Sequence, residues 1–224
     1  MRILRAILFR YHYFRADCLR RAYRRRALRD SWVFGGSLGW PRTTFAAVPI
    51  RIDGEGVVSL GESVMLGYLP APRIGSGEIL LQARTKESRI LIGARTGTNN
   101  NITIVSMLSV SVGEDCLIGD LVSIYDCDFH GIDPTTRRSS SGIIQPVLIG
   151  KNVWLGSRVM VLKGVTIGDN TVVAAGSIVT HSLPSNVIAA GIPARVIREI
   201  HGTAPSDARP PNTHNQCNPA PLLP

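Results

Sequence analysis

The sequence predicts an all-β fold, a parallel β-helix built from six-residue repeats. From residue 149 the chain can be written as six hexads in register, each with an aliphatic first residue and usually a small second one: IGKNVW, LGSRVM, VLKGVT, IGDNTV, VAAGSI and VTHSLP. Earlier copies begin at residue 112 and read VGEDCL, IGDLVS and IYDCDF. Three six-residue legs close one triangular coil, and stacked coils bury the aliphatic residues of their neighbours.

The composition agrees with this fold. Hydrophobic residues make up 44% of the 224 residues and aromatic residues only 6%, with 22 glycines, which describes an aliphatic and turn-rich chain. A β-sandwich would instead show period-two alternation and hairpin dipeptides such as Asn-Gly. We therefore predict a β-helix domain over residues 48–200. Residues 129–148 should protrude from it, because the six-residue rhythm stops after Asp128 and resumes near Ile149.

Two segments lie outside the repeats. Residues 1–31 carry apolar side chains at intervals of three and four, among them Ile3, Ile7 and Phe14, which predicts an amphipathic helix. Residues 1–30 also hold ten arginines and two aspartates, a net +8 of the formal +9. The rest of the chain is close to neutral, which argues against a nucleic-acid-binding groove. Residues 203–224 lack periodicity and are predicted to be disordered.

The basic helix has two interpretations. It either caps the first coil or lies in a membrane interface, where arginines are attracted to anionic lipid. Residues 1–30 are therefore a candidate peripheral membrane contact. The four cysteines, at positions 18, 116, 127 and 217, show no metal-type spacing and no disulfide framework. Together with the lack of a secretory pattern they favour the cytoplasm, either free or at the inner face of the membrane.

One long stretch of the repeats resembles a known family. The segment IGKNVWLGSRVMVLKGVTIGDNTVVAAGSIV, followed by AAGIPARVIREI, is similar to galactoside, maltose and related sugar O-acetyltransferases. The resemblance implies a left-handed β-helix, a homotrimer with one active site at each subunit interface, and acetyl-CoA as co-substrate without a metal. It implies transfer of acetyl to a sugar hydroxyl, with a sugar, nucleotide sugar or lipid-linked oligosaccharide as acceptor. A membrane location of the basic helix would favour an acceptor in surface polysaccharide or glycolipid biosynthesis.

His130 is the predicted general base. An imidazole with its ordinary pKa of about 6.5 is a competent base near neutrality. The segment NNNITIVSMLSVSVGEDCLIGDLVSIYDCDFH resembles the family segment that ends in its catalytic histidine. Three groups are candidates for orienting the ring: Asp126, Asp128 and a backbone carbonyl. Asp128 is also predicted to contribute to substrate binding.

The resemblance implies further roles on the acceptor side. Asn99 matches the family residue that points at the acceptor and is predicted to be catalytic and substrate-binding, with Asn101 as the alternative. Asn100 stands where the family has an aromatic residue. Trp154 is predicted to form a wall of the site. Ser157 is expected to contact the cofactor and to stabilise the oxyanion, through its hydroxyl or a nearby backbone N–H.

The nucleotide contacts are likewise implied by the resemblance. They are the positions of Ala175, Thr180, Arg195 and Arg198. A guanidinium group binds phosphate through two parallel hydrogen bonds and stays charged at every relevant pH, which favours the two arginines. His181 stands where galactoside acetyltransferases carry lysine.

Three alternatives use the same fold. One is an N-acyltransferase acting on an amino sugar or another amine, because its donor side would look alike. Another is a non-catalytic β-helix scaffold, since fold does not fix function. The third, a γ-type carbonic anhydrase, requires two histidines five residues apart, and no pair among the five histidines has that spacing.

Overall fold

The protein is a left-handed parallel β-helix in a computed structural model that describes residues 18–19, 21–72 and 74–200. Residues 1–17 of the predicted helix and the predicted tail at 203–224 lie outside these residues. Three sheets form the faces of a triangular prism, and successive coils pair in parallel. We name the corners in chain order: the first joins faces one and two, the second joins faces two and three, and the third joins faces three and one.

Within the described part of the chain, twenty strands make up the three faces. Face one contains β1 (Ser37–Gly39), β4 (Val57–Leu60), β7 (Arg89–Ile92), β10 (Ser109–Val112), β13 (Val147–Ile149) and β16 (Thr166–Ile167). Face two contains β2 (Phe45–Ala46), β5 (Met65–Leu66), β8 (Gly97–Thr98), β11 (Leu117–Ile118), β14 (Trp154–Leu155), β17 (Val172–Val173), β19 (Val187–Gly191) and β20 (Ala194–Glu199). Face three contains β3 (Ile50–Asp53), β6 (Ile79–Ala83), β9 (Thr103–Ser106), β12 (Ser123–Tyr125), β15 (Met160–Val161) and β18 (Ile178–Val179).

The hexads place their first and fifth residues inside the prism. The six first residues are at most 1% exposed: Ile149, Leu155, Val161, Ile167, Val173 and Val179. The six fifth residues are at most 6% exposed: Val153, Val159, Val165, Thr171, Ser177 and Leu183. Full burial of one aliphatic side chain contributes about 1.5–3 kcal/mol, so each coil is stabilised mainly by the coils above and below it. The predicted repeat and fold class are confirmed.

The first corner turns through the left-handed backbone region in coil after coil. Six residues at equivalent positions there have φ between 53° and 59°: Ser63, Arg95, Asp115, Asn152, Asn170 and Asn186. Asparagine and aspartate tolerate this conformation better than most residues. The last three also form a ladder, in which Asn152 donates to Asn170 and Asn170 donates to Asn186, both at 2.9 Å. The corner residues therefore stabilise the turn and link adjacent coils.

An N-terminal helix, α1, covers the open end of the prism. Residues 21–33 are helical, as are residues 18–19, and Ala27 and Ser31 are buried against the first coil. Arg24 donates to the Trp40 carbonyl at 3.2 Å. The described part of the helix thus caps the first coil. No described helix is long and apolar enough to cross a membrane.

Two predicted boundaries are wrong. The β-helix begins at Ser37 rather than at residue 48, because Trp40 and Thr44 fill interior positions of the first coil where the repeat pattern expects aliphatic residues. The loop expected at 129–148 occupies 126–146, since Val147 already pairs with β10. A second insertion, residues 67–78 between β5 and β6, was not predicted. We call these segments the histidine loop (126–146) and the β5–β6 loop (67–78).

Candidate active site

Asp126 fixes the start of the histidine loop. Its carboxylate is fully buried and accepts hydrogen bonds from the Ser106 hydroxyl at 2.7 Å and from three backbone N–H groups, those of Met107 at 2.7 Å and of Leu108 and Ser109 at 2.8 Å. These four bonds occupy the carboxylate and close the corner of the preceding coil. Asp126 therefore holds the scaffold in place and does not contact the imidazole.

Asp128 ties the two ends of the loop together. Its Oδ1 lies 2.5 Å from Lys163 Nζ, and its Oδ2 accepts from the Ile143 N–H at 3.3 Å. The Asp128 N–H in turn donates to the Ile143 carbonyl at 3.1 Å. Asp128 thus joins the outgoing and returning strands of the loop to the next coil, and it makes no hydrogen bond to His130 among the described residues.

The His130 ring is exposed and contacts a backbone carbonyl. Its Nδ1 lies 3.2 Å from the Arg137 oxygen. A carbonyl oxygen only accepts, so Nδ1 is the donor in this contact, and in the neutral ring Nε2 then carries the free lone pair. The Arg137 guanidinium donates to the Ile132 carbonyl at 3.0 Å, which steadies the turn that presents the oxygen. Of the three candidate orienting groups, the backbone carbonyl is the one that contacts the imidazole.

Gly142 packs against the backbone of His130. Its φ is +72°, and a Cβ added there would lie 2.3 Å from the His130 carbonyl oxygen and 2.7 Å from Asp128 Cβ. Real Cβ atoms do not approach so closely, so only glycine lets the returning strand of the loop pass here. The position of His130 therefore depends on a residue twelve places later in the chain.

Phe129, which immediately precedes His130, has an unusual backbone conformation. Its φ is 67°, which is a genuine outlier for a bulky side chain. Its ring makes an edge contact with Tyr125 at a centroid distance of 5.6 Å, and Arg84 Cζ lies 4.6 Å from the ring centroid. Sequence reasoning missed both contacts; the only signal was an aromatic residue beside the histidine in an aromatic-poor chain.

A second group of predicted residues stacks along the second corner. Asn99 follows β8, Ser157 follows β14 and Ala175 follows β17. Backbone hydrogen bonds of 2.7–2.9 Å join the successive rungs at this corner. The Ser157 hydroxyl donates to the Asp120 carboxylate, so it is already engaged. The Ser157 N–H has no hydrogen-bond partner among the described residues and is the free donor at this position.

The neighbouring asparagines anchor the β5–β6 loop. The fully buried Asn100 accepts from the Tyr68 N–H at 3.0 Å and donates to carbonyl oxygens of residues 68–72 at 3.0–3.3 Å. Asn101 lies in the left-handed region and donates to the Pro72 carbonyl at 3.4 Å. The side chain of Asn99 makes no hydrogen bond to any other described residue. The geometry therefore favours Asn99 over Asn101 as a group free to bind an acceptor.

The remaining predicted residues are spread over the prism. Trp154 is exposed on the outer side of face two, in register with the exposed Leu117. Thr180 lies at the third corner, where its hydroxyl is 2.8 Å from His181 Nδ1. Arg195 and Arg198 are exposed on β20, and their guanidinium groups contact only nearby backbone carbonyls among the described residues.

One chain therefore divides the predicted site between two corners. Asn99, Ser157 and Ala175 lie at the second corner, whereas the histidine loop leaves the prism at the third. One side of the prism separates Ser157 from Lys163, the residue that pairs with Asp128. At roughly 3.3 Å per residue this side spans up to about 20 Å. Within the described chain no hydrogen bond joins His130 to the residues at the second corner.

Cys127 is a second potentially reactive group in the histidine loop. Burial raises the pKa of its thiol. A thiol with a raised pKa carries little thiolate near neutrality and is a poor nucleophile. Cys127 is therefore not an activated nucleophile.

Comparisons with known proteins identify the family of the chain. Residues 146–181 match the family model for the bacterial transferase hexapeptide (six repeats). The chain is 34% identical over 163 residues to the putative lipopolysaccharide biosynthesis O-acetyl transferase WbbJ of Escherichia coli K12, covering 68% of this chain and 77% of that protein. It is 46% identical over 114 residues to the galactoside O-acetyltransferase of the same organism, covering 51% of this chain and 56% of that one. The chain belongs to the hexapeptide-repeat sugar O-acetyltransferase family, which confirms the resemblance.

The relatives differ in how much of their length this chain covers, and a solved structure shows the same fold. The chain spans about half the length of several curated relatives, including 57% of a putative acetyltransferase from Saccharomyces cerevisiae. The solved structure of the polySia-specific acetyltransferase NeuO superimposes with a TM-score of 0.58 at 24% identity, over 78% of this chain and 82% of that one. At this identity the likeness establishes the shared fold.

Proposed function

We propose that this protein transfers an acetyl group from acetyl-CoA to a sugar hydroxyl, with His130 as the general base. The observation that carries the proposal is the contact between His130 Nδ1 and the Arg137 carbonyl, because it leaves Nε2 exposed and able to accept a proton. Membership of the family and the names of its relatives, galactoside O-acetyltransferase among them, support acetyl transfer to a sugar.

The reaction follows from the groups available. Nε2 of His130 takes the proton of the acceptor hydroxyl. At the same time the hydroxyl oxygen attacks the thioester carbon and forms the new C–O bond. The Ser157 N–H donates to the oxyanion of the tetrahedral intermediate. The C–S bond then breaks, and the imidazolium returns the proton to the leaving CoA thiolate. General-base help of this kind contributes about 10²- to 10⁴-fold in rate.

The cofactor contacts are proposed from the same family relation. Ala175 and Thr180 would border the pantetheine arm, and Arg195 and Arg198 would bind phosphate. Both guanidinium groups are exposed and contact only backbone carbonyls of residues 194 and 199 among the described residues, so they can turn toward an anionic ligand.

We also propose that the active unit is a homotrimer with its sites between subunits. Asn99 and Ser157 at the second corner and His130 at the third corner can meet when two prisms lie side by side. The exposed Leu117 and Trp154 give face two an apolar outer surface suited to such a contact. Light scattering should report about three times the chain mass of 24.2 kDa. A fully active monomer would contradict the proposal.

The base is tested by acetyl-transfer kinetics on His130→Ala. Turnover should fall by about 10²-fold or more while acetyl-CoA binding stays close to that of the unchanged protein. Ser139→Ala, an exposed position in the same loop, is the matched control and should behave like the wild type. If His130→Ala keeps most of its turnover, His130 is not the base.

The acceptor that we propose is a precursor of a surface polysaccharide or glycolipid, held at the inner face of a membrane. The described helix supports a surface contact on its outer side, where Trp32 is 81% exposed beside the exposed Leu28, with Arg25 and Arg29 on the same side. Basic residues near an anionic membrane surface contribute about 1 kcal/mol each to binding. The opposite side of the helix can cap the first coil at the same time.

Liposome flotation tests this membrane contact. The full chain should float with vesicles containing anionic lipid at low salt and remain in solution with zwitterionic vesicles or at high salt. Trp32→Ser with Arg25→Gln and Arg29→Gln should weaken the binding. If the full chain stays in solution with anionic vesicles at low salt, the helix serves only as a cap.

A further inference from the structure

The surface beside His130 contains a guanidinium group with free hydrogen-bond donors. Arg84 follows β6 at the third corner, and its Cζ lies 4.6 Å from the centroid of the Phe129 ring. Its Nε donates to Gln82 Oε1 at 2.9 Å. Its two Nη groups have no hydrogen-bond or ion-pair partner among residues 18–19, 21–72 and 74–200. The free end of Arg84 is thus held against the residue next to the proposed base.

Several contacts hold this guanidinium in place. Gln82, its hydrogen-bond acceptor, itself donates to Asp53 Oδ2 at 3.1 Å. The Phe129 ring under the guanidinium is fixed in turn by its edge contact with Tyr125. Phe129 adopts its left-handed conformation at the position before His130, and strained backbone of this kind occurs mostly at functional sites. The arrangement presents a pre-oriented cation next to the base.

We infer that Arg84 binds an anionic group, a carboxylate or a phosphate, carried by the acceptor sugar. The inference rests on the proposed acetyl transfer. A guanidinium group offers two parallel N–H donors that match the oxygens of either anion. The acidic residues of the histidine loop do not compete for it, because Asp128 pairs with Lys163 and Asp133 accepts two hydrogen bonds from Thr135.

The position of Arg84 favours the acceptor over acetyl-CoA as the source of the anion. The acceptor hydroxyl must reach Nε2 of His130, so the rest of the same sugar ring lies near the neighbouring Phe129 and Arg84. The phosphates of acetyl-CoA are separated from its thioester by the whole pantetheine arm. The acceptor class is therefore an acidic sugar, either a uronic-type carboxylate or a sugar phosphate.

Acetyl-transfer kinetics with matched acceptors test the inference. The probes are methyl glucoside with methyl glucuronide, methyl galactoside with methyl galacturonide, and glucose with glucose 1-phosphate. In the wild type, kcat/KM should favour the charged member of at least one pair by about 10-fold or more, as expected for hydrogen bonds to a charged group. A preference confined to the uronides identifies a carboxylate, and one confined to the 1-phosphate identifies a phosphate.

Two methionine variants complete the test, because methionine removes the charge and keeps an unbranched side chain. Arg84→Met should lose the preference and keep the KM for acetyl-CoA, whereas Arg42→Met, an exposed arginine at the first corner, should match the wild type. Equal use of neutral and charged acceptors by the wild type, a preference that survives in Arg84→Met, or a raised KM for acetyl-CoA in that variant each overturns the inference. If the wild type acetylates none of the probes while His130→Ala and the wild type turn over acetyl-CoA equally, the proposed function itself fails.

Discussion

The coils and the histidine loop are held in place by different kinds of interaction. In the coils after residue 147, position is set by repeated backbone pairing and by the residues at the first and fifth places of each hexad, which are at most 6% exposed. In the histidine loop, residues 132–140 are all exposed. Beyond the hydrogen bonds of Asp126 at its start, individual side-chain contacts hold the loop: Asp128 with Lys163, Phe129 with Arg84, and His130 with Arg137. A substitution in a coil should therefore lower stability, whereas one in the loop should lower activity with little loss of stability.

The largest expected difference is in the free energy of unfolding of two isoleucine variants, one in a coil and one in the histidine loop. Ile124 is completely buried in β12, whereas Ile132 in the loop is 73% exposed. Ile124→Ala should lower the free energy of unfolding by about 2–5 kcal/mol, since it leaves a cavity between adjacent coils. Ile132→Ala should change it by less than about 0.5 kcal/mol. Urea unfolding of both variants measures the contrast, and equal losses would show that the loop shares the core of the coils.

A glycine substitution should damage the loop and spare the scaffold. Gly142→Ala pushes a methyl group into the backbone of His130, so acetyl transfer should fall by about 10-fold or more while most of the stability of the coils remains. Gly35→Ala is the matched control, because Gly35 also has positive φ but nothing lies within 4 Å of an added Cβ. Kinetics and thermal unfolding of both variants separate the effect of the positive φ, which the two positions share, from the effect of the clash with His130, which only Gly142→Ala introduces. Equal activity in the two variants would mean that Gly142 does not position His130.

The smallest effect concerns pH. The hydroxyl and N–H of Thr135 donate to Asp133 and lower the pKa of its carboxyl group. Because the folded pKa is lowered, the stabilising contribution of these hydrogen bonds is present above the ordinary carboxyl pKa of about 3.9. It is lost as pH falls through the lower folded value. Hydrogen exchange at the Thr135 N–H should therefore lose protection on the acid side in the wild type, and Asp133→Asn should flatten that pH dependence. An unchanged pH profile in the variant would assign the effect to another group.

The sequence predicts the repeated coils of the β-helix but little of the structure that departs from the repeat. The coils from Ile149 onward follow from a period of six that recurs in successive hexads, and His130 follows from its place where that period stops. The anchoring of the β5–β6 loop could not be predicted, because Asn100 and Tyr68 are 32 residues apart and meet only after the coils have stacked. The contact between Arg84 and Phe129 is of the same kind. The first coil was missed because Trp40 and Thr44 occupy its interior.

Mixed trimers test the central claim most directly, which is that His130 and Asn99 act from different corners and meet between subunits. His130→Ala and Asn99→Ala chains are each expected to be nearly inactive alone. After unfolding and refolding together in equal amounts, about one quarter of the interfaces in a closed ring should pair an intact His130 with an intact Asn99. The proposed arrangement predicts recovery of roughly that fraction of wild-type acetyl transfer. A refolded mixture of trimers that stays as inactive as its separate components would place both residues in a site formed by a single chain.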